Sequence, residues 1–343
     1  MPHKEKTLNI GSSPHISSGL SVEQIMRNVV WAILPIVAFA IYAFGLTALL
    51  TIATAVLACV LTEHWFSKKT QHKSTISDWS VVITGLLYGL TLPPGIPLWM
   101  VFCGGVIGVA MGKVMFGGLG FNPFNPALVG RAFLQAAFPV SMTTWMPALS
   151  PDRFVSIPAS VYTFPFATPN YDVVSGATPL AAMKFDSVMT DTSDLIMGLT
   201  SGSLGETSGI VILLGGFYLI FRKMMNWRIP AGIFVSVILL TGILHGIEPT
   251  LYPTPQFMLF SGGLMLGAMF MATDMVASPI TSLGCFVYGA IIGILVVVIR
   301  IWGGIPEGVM YAILFANALS PHIDRIIRPV AYGTRSQRTS NGR

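Results

Sequence analysis

Charged residues are scarce in this sequence: aspartate, glutamate, lysine and arginine make up only 10% of its 343 residues, whereas hydrophobic residues make up 53%. Soluble domains carry charge on about a quarter of their residues. The composition therefore excludes an ordinary soluble domain and predicts an integral membrane protein.

Cysteine is also rare, and so are the motifs of cofactor-binding domains. Cys59, Cys103 and Cys285 lie far apart in apolar segments, without a CxxC pair or a neighbouring histidine. Zinc and iron–sulfur sites use closely spaced cysteines, and a dinucleotide site uses a GxGxxG turn after a strand. We therefore predict no metal site in this chain and no soluble domain that binds NAD or ferredoxin.

Long apolar runs are what the sequence does contain. The first begins only at Val29, after polar and basic residues and without a small-residue cleavage site, so we predict no removable signal peptide. A membrane span needs about 20 mostly apolar residues, and fewer where a helix is broken. Ten candidate spans cover residues 29–44, 46–62, 81–92, 98–112, 127–140, 209–221, 229–244, 257–273, 283–302 and 308–320.

The basic residues predict the orientation of these spans, because basic loops stay on the cytoplasmic side. With both termini in the cytoplasm, 16 of the 19 lysine and arginine residues fall on that side, among them Arg131. Arg153, Lys184 and Arg300 fall outside, and we expect Arg300 to extend from the end of its span to the membrane interface. This orientation places the long polar segment in the middle of the chain outside the cytoplasm.

The chain is predicted to be doubled. Five spans on each side of the polar segment make the second half enter from the opposite side, which is the geometry of an inverted repeat. The expected fold is all-α, in five parts: a cytoplasmic segment (1–28), a five-helix repeat (29–140), an extracytoplasmic loop (141–208), a second repeat (209–322) and a basic tail (323–343). The Gly/Pro-interrupted segments 117–131 and 267–284 are either broken helices around a central site or loops between spans.

The polar segment contains the pair Thr178–Pro179, which is typical of a helix start because threonine caps the helix and proline takes its first position. We predict a helix from Pro179 to about Phe185. No histidine adjoins Thr178 to activate its hydroxyl. No catalytic residue is therefore predicted.

Asp274 is the acidic residue that directly adjoins apolar spans. An ionisable group in this position is by default a candidate for function, here ion coupling. The alternative is a helix-end carboxylate in contact with cytoplasmic water.

Three stretches of the sequence carry a family resemblance. Residues 172–178, DVVSGAT, resemble the sequence that flavin transferases esterify with FMN. Together with SSPHISSGLSVEQIM (12–26) and GGLGFNPFNPALVGR (117–131), they make nearly the whole chain resemble the RnfD/NqrB family. Within that family the early first span is more similar to the D subunit of the Rnf ferredoxin–NAD⁺ oxidoreductase than to the B subunit of the sodium-pumping NADH:quinone oxidoreductase.

The resemblance implies FMN bound covalently to Thr178 through a phosphoester, with Asp172, Ser175, Gly176 and Ala177 as the turn that the transferase recognises. It also implies electron transfer coupled to Na⁺ or H⁺ transport, and a second, non-covalent flavin such as riboflavin near the cytoplasmic side. A flavin accepts electrons singly or in pairs, which suits a relay between one-electron centres and a hydride acceptor.

The implied partners are the other Rnf subunits, including a second flavinylated subunit and iron–sulfur subunits, a flavin transferase for maturation, and lipid of the bacterial inner membrane. Nucleic acid is not an expected partner. Two other interpretations stay open: a small-solute transporter or channel with inverted repeats, and a structural subunit in which Thr178 is only a helix cap. Flavin attachment would distinguish the flavin-carrying Rnf subunit from the transporter and from the structural subunit.

Overall fold

The computed structural model describes residues 21–70, 78–165, 167, 176–198, 200–206 and 208–329. Across these residues the regular structure is helical and contains no β-strand, so the predicted all-α class is confirmed for them. Asp172 and Ser175 of the predicted flavin turn lie outside the described residues.

The helices follow one another with mostly short connections. In chain order they are α1 (Val22–Phe44), α2 (Leu46–Thr70), α3 (Ser80–Leu90), α4 (Leu98–Gly112), α5 (Pro126–Ala137), α6 (Pro139–Thr143), α7 (Pro179–Ala181), α8 (Thr192–Met197), α9 (Gly209–Phe221), α10 (Arg228–Ile247), α11 (Pro255–Phe260), α12 (Leu264–Leu266), α13 (Ser282–Trp302) and α14 (Val309–Ile326). Short 3₁₀ segments cover Val114–Phe116 and Ala159–Tyr162, and π-helical turns cover Ala182–Asp186 and Gly267–Met271.

Five segments are long and apolar enough to cross a membrane. They are Val22–Phe44, Leu46–Lys68, Leu98–Phe116, Arg228–Ile247 and Ser282–Trp302, and shorter apolar helices cover Ser80–Leu90 and Gly209–Phe221. Large apolar side chains such as Trp31, Leu57 and Leu239 point outward from these helices and are more than half exposed. Such a surface suits lipid and not water, and the chain is a multi-pass membrane protein.

The other three predicted spans differ from these helices. Span 127–140 is interrupted, because α5 ends at Ala137 and Pro139 begins α6. Span 257–273 consists of α11, α12 and a π-helical turn, with a break at Gly262, whose φ of +60° favours glycine. Span 308–320 corresponds to the first part of α14.

The first connection shows how local chemistry sets helix ends. Helix α1 begins seven residues before the predicted span because Ser21 and Gln24 form a capping box. It continues through Pro35 and ends at Gly45, where φ is +69°. A Cβ on Gly45 would lie 2.0 Å from the carbonyl oxygen of Arg153, so only glycine fits there.

Helix α5 lies between the two halves of the chain. It packs against α3 and α4 of the first half and against α14 of the second. In the second half, α10 and α13 form the most extensive helix pair, and small residues bring their backbones together: a Cβ on Gly289 would lie 2.3 Å from the carbonyl oxygen of Ile229. The side chains of α5 can therefore reach groups from both halves.

Candidate functional site

Thr178 is the N-cap of α7, as the Thr–Pro pair predicts. Its Oγ accepts a hydrogen bond of 3.2 Å from the backbone N–H of Ala181, and Pro179 occupies the first helical position. The helix continues as a π-helical turn to Asp186, close to the predicted end at Phe185. Thr178 is 8% exposed, so its hydroxyl lies at a buried edge and not on the open surface.

The residues before Thr178 show why glycine occupies position 176. The Gly176 N–H donates to the carbonyl oxygen of Trp145 over 3.1 Å. A Cβ on Gly176 would lie only 2.6 Å from Oγ of Ser201. Glycine at position 176 therefore allows the backbone to pass close to a neighbouring loop of the chain, while Ala177 is exposed.

Thr178 lies on the wall of a partly open cavity, which we call the Thr178 cavity. Six regions of the chain meet there: α5, the segment 142–145, the start of α7, the loop before α9, the break between α11 and α12, and the connection from α13 into α14. The lining residues are Arg131, Gln135, Met142, Thr143, Trp145, Thr178, Pro179, Leu180, Glu206, Gly262, Ile305, Pro306, Glu307, Met310 and Tyr311.

An ion pair crosses the floor of this cavity. Arg131 Nη2 donates to Oε2 of Glu307 over 2.7 Å, and both side chains are largely buried. The Gly263 N–H donates to Oε1 of the same glutamate, also over 2.7 Å. Arg131, which the count of basic residues assigns to the cytoplasmic side, thus lines the same cavity as Thr178.

A second carboxyl group approaches the same place. A Cβ on Gly263 would lie 2.8 Å from Oε1 of Glu307 and 3.5 Å from Oε1 of Glu206. Oε2 of Glu206 accepts from the Ser203 N–H over 3.3 Å. Oε1 of Glu206 is buried and has no hydrogen-bond partner among the described residues.

The neighbouring charges and hydrogen bonds give these two buried carboxyl groups different pKa values. Desolvation, reinforced by the nearby Glu307, raises the pKa of Glu206 to about 8 against the opposing effect of Arg131. Burial acts to raise the pKa of Glu307 as well, but the guanidinium of Arg131, the Gly263 N–H and Arg300 outweigh it and hold that pKa below its ordinary value. At neutral pH, Glu206 is therefore mostly uncharged and Glu307 is ionised.

Arg300 supplies a further positive charge beneath the cavity. The expectation that it extends to the membrane interface is wrong, since it is 1% exposed and donates to the carbonyl oxygens of Met258 and Ser261 over 2.6 and 2.9 Å. The break between α11 and α12 leaves these carbonyls without helical partners, and Arg300 satisfies them. A Cβ on Gly262 would lie 3.1 Å from Arg300 Nη2 and 3.3 Å from Glu307 Oε1, which places the two charges close together.

Lys184 fastens the Thr178 segment to the second half of the chain. Its Nζ donates to the carbonyl oxygens of Arg300, Gly303 and Ile305 at the end of α13. A cation is favourable at a helix C-terminus, where carbonyl groups are unpaired. The α7 segment, and Thr178 with it, is therefore held against α13.

Asp274 lies in a second cavity, which we call the Asp274 cavity. Its walls come from α1, α3, the Gly/Pro-interrupted segments and α9. The lining residues are Ile25, Met26, Val29, Ser80, Ile83, Thr84, Leu87, Lys113, Leu119, Asn122, Asn125, Pro126, Leu219, Met224, Met225, Met269, Phe270, Thr273, Asp274, Met275 and Val276.

The two interrupted segments meet in this cavity. Asn122 Nδ2 donates to Oδ2 of Asp274 over 3.2 Å, and Asn125 Nδ2 donates to the carbonyl oxygen of Met271 over 3.1 Å. Desolvation raises the pKa of Asp274, although the Val276 N–H and Asn122 act against it. Of the two interpretations of these segments, the contacts favour broken elements around a common site over unrelated loops.

Lys113 brings a paired charge to the same cavity. Its Nζ donates to Oε2 of Glu63 and to Oγ of Ser80, both over 2.8 Å, and all three residues are buried. Within the described parts of the chain, no group of three or more histidine, cysteine, aspartate or glutamate side chains is placed to hold a metal ion. The polar chemistry of the site thus comes from amides, hydroxyls and paired charges.

Known proteins match this chain over almost its full length. A family profile described as the NQR2, RnfD, RnfE family matches residues 9–333. The chain is 40% identical over 342 residues to the D subunit of the proton-translocating ferredoxin:NAD(+) oxidoreductase complex of Clostridium ljungdahlii, covering 97% of this chain and 98% of the relative. It is also 40% identical over 333 residues to the D subunit of the Na(+)-translocating ferredoxin:NAD(+) oxidoreductase complex of Acetobacterium woodii, covering 96% of each.

A third relative, the D subunit of the ion-translocating oxidoreductase complex of Alcanivorax borkumensis, is 36% identical over 339 residues, covering 96% of this chain and 98% of the relative. Identity of this extent, together with a profile match over nearly the whole chain, shows common descent and a common fold. The chain belongs to the NQR2, RnfD, RnfE family, which includes these oxidoreductase subunits.

Proposed function

We propose that this chain is the D subunit of an Rnf-type complex, in which electron transfer between ferredoxin and NAD⁺ is coupled to Na⁺ or H⁺ transport. In this role it carries FMN on Thr178 through a phosphoester. The observation that supports this proposal most directly is the position of the Thr178 hydroxyl on the wall of a cavity that also contains a buried guanidinium group.

The residues that line the Thr178 cavity suit FMN in their chemistry. Arg131 offers a phosphate-binding guanidinium, while Trp145, Met142 and Met310 offer apolar surface for a ring system. FMN bound there would supply one- and two-electron chemistry, and the residues of this chain would bind it, orient it and limit its contact with water.

The Asp274 cavity suits the second, non-covalent flavin. It is larger, mostly apolar, and has amides at Asn122 and Asn125 that can meet the polar edge of a flavin ring. Helix α5 borders both cavities, through Pro126 on one and Arg131 on the other. Five residues of helix, a rise of about 7.5 Å along the helix axis, separate these two positions, so the two cavities are neighbours.

The proposed function also includes the membrane arrangement that the sequence predicts. Ten spans in two inverted five-helix repeats, with both termini in the cytoplasm of a bacterial inner membrane, place the Thr178 loop (141–208) outside and the Asp274 cavity toward the inside. The other Rnf subunits, including a second flavinylated subunit and iron–sulfur subunits, supply the remaining redox centres. A separate flavin transferase attaches the FMN.

Asp274 is the proposed ion-coupling residue, because it is a desolvated carboxyl group beside an apolar cavity. The names of the relatives support ion transport without selecting the ion: the Clostridium relative is named for protons and the Acetobacterium relative for Na⁺, at the same 40% identity. The coupling ion of this chain is Na⁺ or H⁺.

Peptide mass mapping of the full-length protein, produced in cells with an active flavin transferase, tests the covalent flavin. We expect an added mass of FMN minus water on the Thr178 peptide, and in-gel flavin fluorescence that Thr178→Ala abolishes. Thr254→Ala is the matched control, since Thr254 caps α11 and precedes a proline in the same way. An unmodified Thr178 in such cells would contradict the proposal and favour the transporter or structural interpretation.

A further inference from the structure

Helices α1 and α9 come from different halves of the chain and pack against each other in antiparallel directions. The Tyr218 hydroxyl donates to Oδ1 of Asn28 over 2.6 Å. One turn further along the pair, a Cβ on Gly215 would lie 2.7 Å from the carbonyl oxygen of Ala32. Between these two contacts the residue numbers rise along α1 and fall along α9. The N-terminal end of α1 and the C-terminal end of α9 therefore lie at the same membrane face.

Three basic residues lie at this end of the helix pair, and we call them the seam cluster. Arg27 directly precedes Asn28 on α1. Arg222 and Lys223 follow Tyr218 by four and five residues, just after α9 ends at residue 221. All three basic residues are exposed. The packing of α1 on α9 thus brings positive charges from both halves of the chain to one place.

The described part of the chain does not balance the charge of the seam cluster. Neither ion pair of the described residues includes a member of the cluster. The carboxylate nearest to the cluster in sequence is that of Glu23, one turn before Arg27 on α1. With three positive charges against one negative charge, this end of the helix pair attracts an anion.

Exposed apolar side chains continue from the seam cluster toward the middle of the membrane on both helices. On α1, Trp31 and Leu34 follow the basic residue by four and seven positions. On α9, Tyr218 and Leu214 precede the first basic residue by four and eight positions. Residues at these spacings share one face of a helix. Each helix therefore has an outward face that is basic at its end and apolar along its length.

We propose that the seam cluster binds the headgroup of an anionic phospholipid, whose acyl chains lie along the exposed faces of α1 and α9. A phosphodiester supplies the negative charge and the oxygen acceptors that guanidinium and ammonium groups bind. Basic residues beside a membrane span attract anionic lipid. A zwitterionic lipid lacks the net charge and a soluble phosphate ester lacks the chains, so the two features together select an anionic lipid.

The bound lipid connects the two halves of the chain beside the Asp274 cavity. The inward faces of the same two helix ends line this cavity, through Ile25, Met26 and Val29 on α1 and through Leu219 on α9. A headgroup that both helix ends hold stabilises this wall of the cavity from outside. We therefore expect slower hydrogen exchange in residues 22–30 with anionic lipid than with neutral lipid.

Native mass spectrometry of the full-length protein tests the proposal. The protein is placed in nanodiscs of phosphatidylcholine and phosphatidylglycerol in a ratio of about four to one, which gives the bilayer a negative surface. The lipids that stay bound after removal of the bulk lipid are identified by mass. We expect phosphatidylglycerol to be retained in preference to phosphatidylcholine. The triple variant Arg27→Gln, Arg222→Gln and Lys223→Gly should retain about tenfold less of it, because each basic residue near the bilayer contributes about fivefold to binding.

The matched control removes three exposed basic residues at the ends of other helices, through Lys68→Gln, Arg325→Gln and Arg328→Gln. It lowers the net charge of the protein by the same amount, and it should retain phosphatidylglycerol as the wild type does. Equal losses in the two triple variants would overturn the proposal, because binding would then follow net charge alone. Equal retention of both lipids by the wild type would overturn it as well.

Lys223→Gly separates lipid binding from stability. Lys223 has a φ of +57°, in the region where a side chain is strained and glycine is not. In phosphatidylcholine alone, this single variant should therefore melt no lower than the wild type, whereas in the mixed nanodiscs its retention of phosphatidylglycerol should fall about fivefold. Unchanged retention in this stable variant would overturn the assignment of Lys223 to the lipid site.

Discussion

Arg131 Nη2 lies 2.7 Å from Oε2 of Glu307, although 176 positions of sequence separate the two residues. The contact joins α5 of the first half to the connection between α13 and α14 of the second, and it forms the floor of the Thr178 cavity. The two halves of the chain are therefore linked by charge at the place where the flavin is proposed to bind.

Breaking this pair from one side should destabilise the protein strongly. Arg131→Gln strands the buried Glu307 carboxylate and is expected to lower the free energy of unfolding by about 3 kcal/mol, because an uncompensated buried charge is left. The double variant with Glu307→Gln should recover most of that loss. Denaturant unfolding in detergent measures the free energy of unfolding of the wild type, the two single variants and the double variant. A loss in the double variant equal to the sum of the two single losses would contradict a direct interaction between Arg131 and Glu307.

Glu206 should make stability depend on pH. Its pKa is raised from an ordinary value of 4.5 to about 8 in the folded protein, so between these values the folded state binds a proton that the unfolded state does not. Its contribution to stability is therefore full below pH 4.5, decreases as pH rises to about 8, and is constant above. Melting temperatures across this range should decline less in Glu206→Gln than in the wild type, whereas exposed Glu248→Gln should follow the wild type.

Gly176→Ala should destabilise the protein through a steric clash with Ser201, and a second substitution at Ser201 should relieve that clash. The new Cβ would lie 2.6 Å from Oγ of Ser201, so the segment before Thr178 must shift. We expect lower thermal stability and less flavin on Thr178. Ser201→Ala removes the clashing oxygen, and the double variant should regain stability. Recovered stability without recovered flavin fluorescence would show that the flavin transferase itself recognises Gly176.

Lys184→Met should loosen the Thr178 segment without unfolding the membrane helices. The side chain loses three hydrogen bonds to the carbonyl groups of Arg300, Gly303 and Ile305, while its aliphatic part is retained. Hydrogen exchange should become faster in residues 176–186 and stay unchanged in α10. Unchanged exchange around Thr178 would show that other contacts hold the segment.

Asp274→Asn should separate ion coupling from flavin attachment. The amide keeps the size of the side chain and removes its charge, so the complex should assemble and Thr178 should remain flavinylated, while ion-dependent electron transfer falls by about tenfold or more. Asp191→Asn, at an exposed position before α8, is the control. Unaltered ion dependence in the intact complex would exclude Asp274 from the coupling path.

Features that depend on neighbouring residues could be predicted from the sequence. The Thr178–Pro179 helix start is confirmed, because a cap and the first helical position are local chemistry. The apolar helices and the helix end at Gly45 are likewise local, since they depend on runs of apolar residues and on a positive φ.

Features that depend on distant residues could not be predicted. The sequence offers no sign that Arg131 meets Glu307, or that Arg300 is buried among carbonyls that a helix break leaves free. The sequence does indicate that these arginines have partners, because an arginine inside an apolar helix needs one. Residue types alone could not say which carboxylate that partner would be.

The position of Lys184 has a consequence for the biogenesis of this protein. Its three carbonyl partners belong to residues that the ribosome adds more than 100 positions later. Until α13 has been synthesised and inserted, the segment that bears Thr178 lacks these anchors. If FMN is attached to Thr178 as proposed, the transferase therefore meets a less restrained segment before the second half docks than after it.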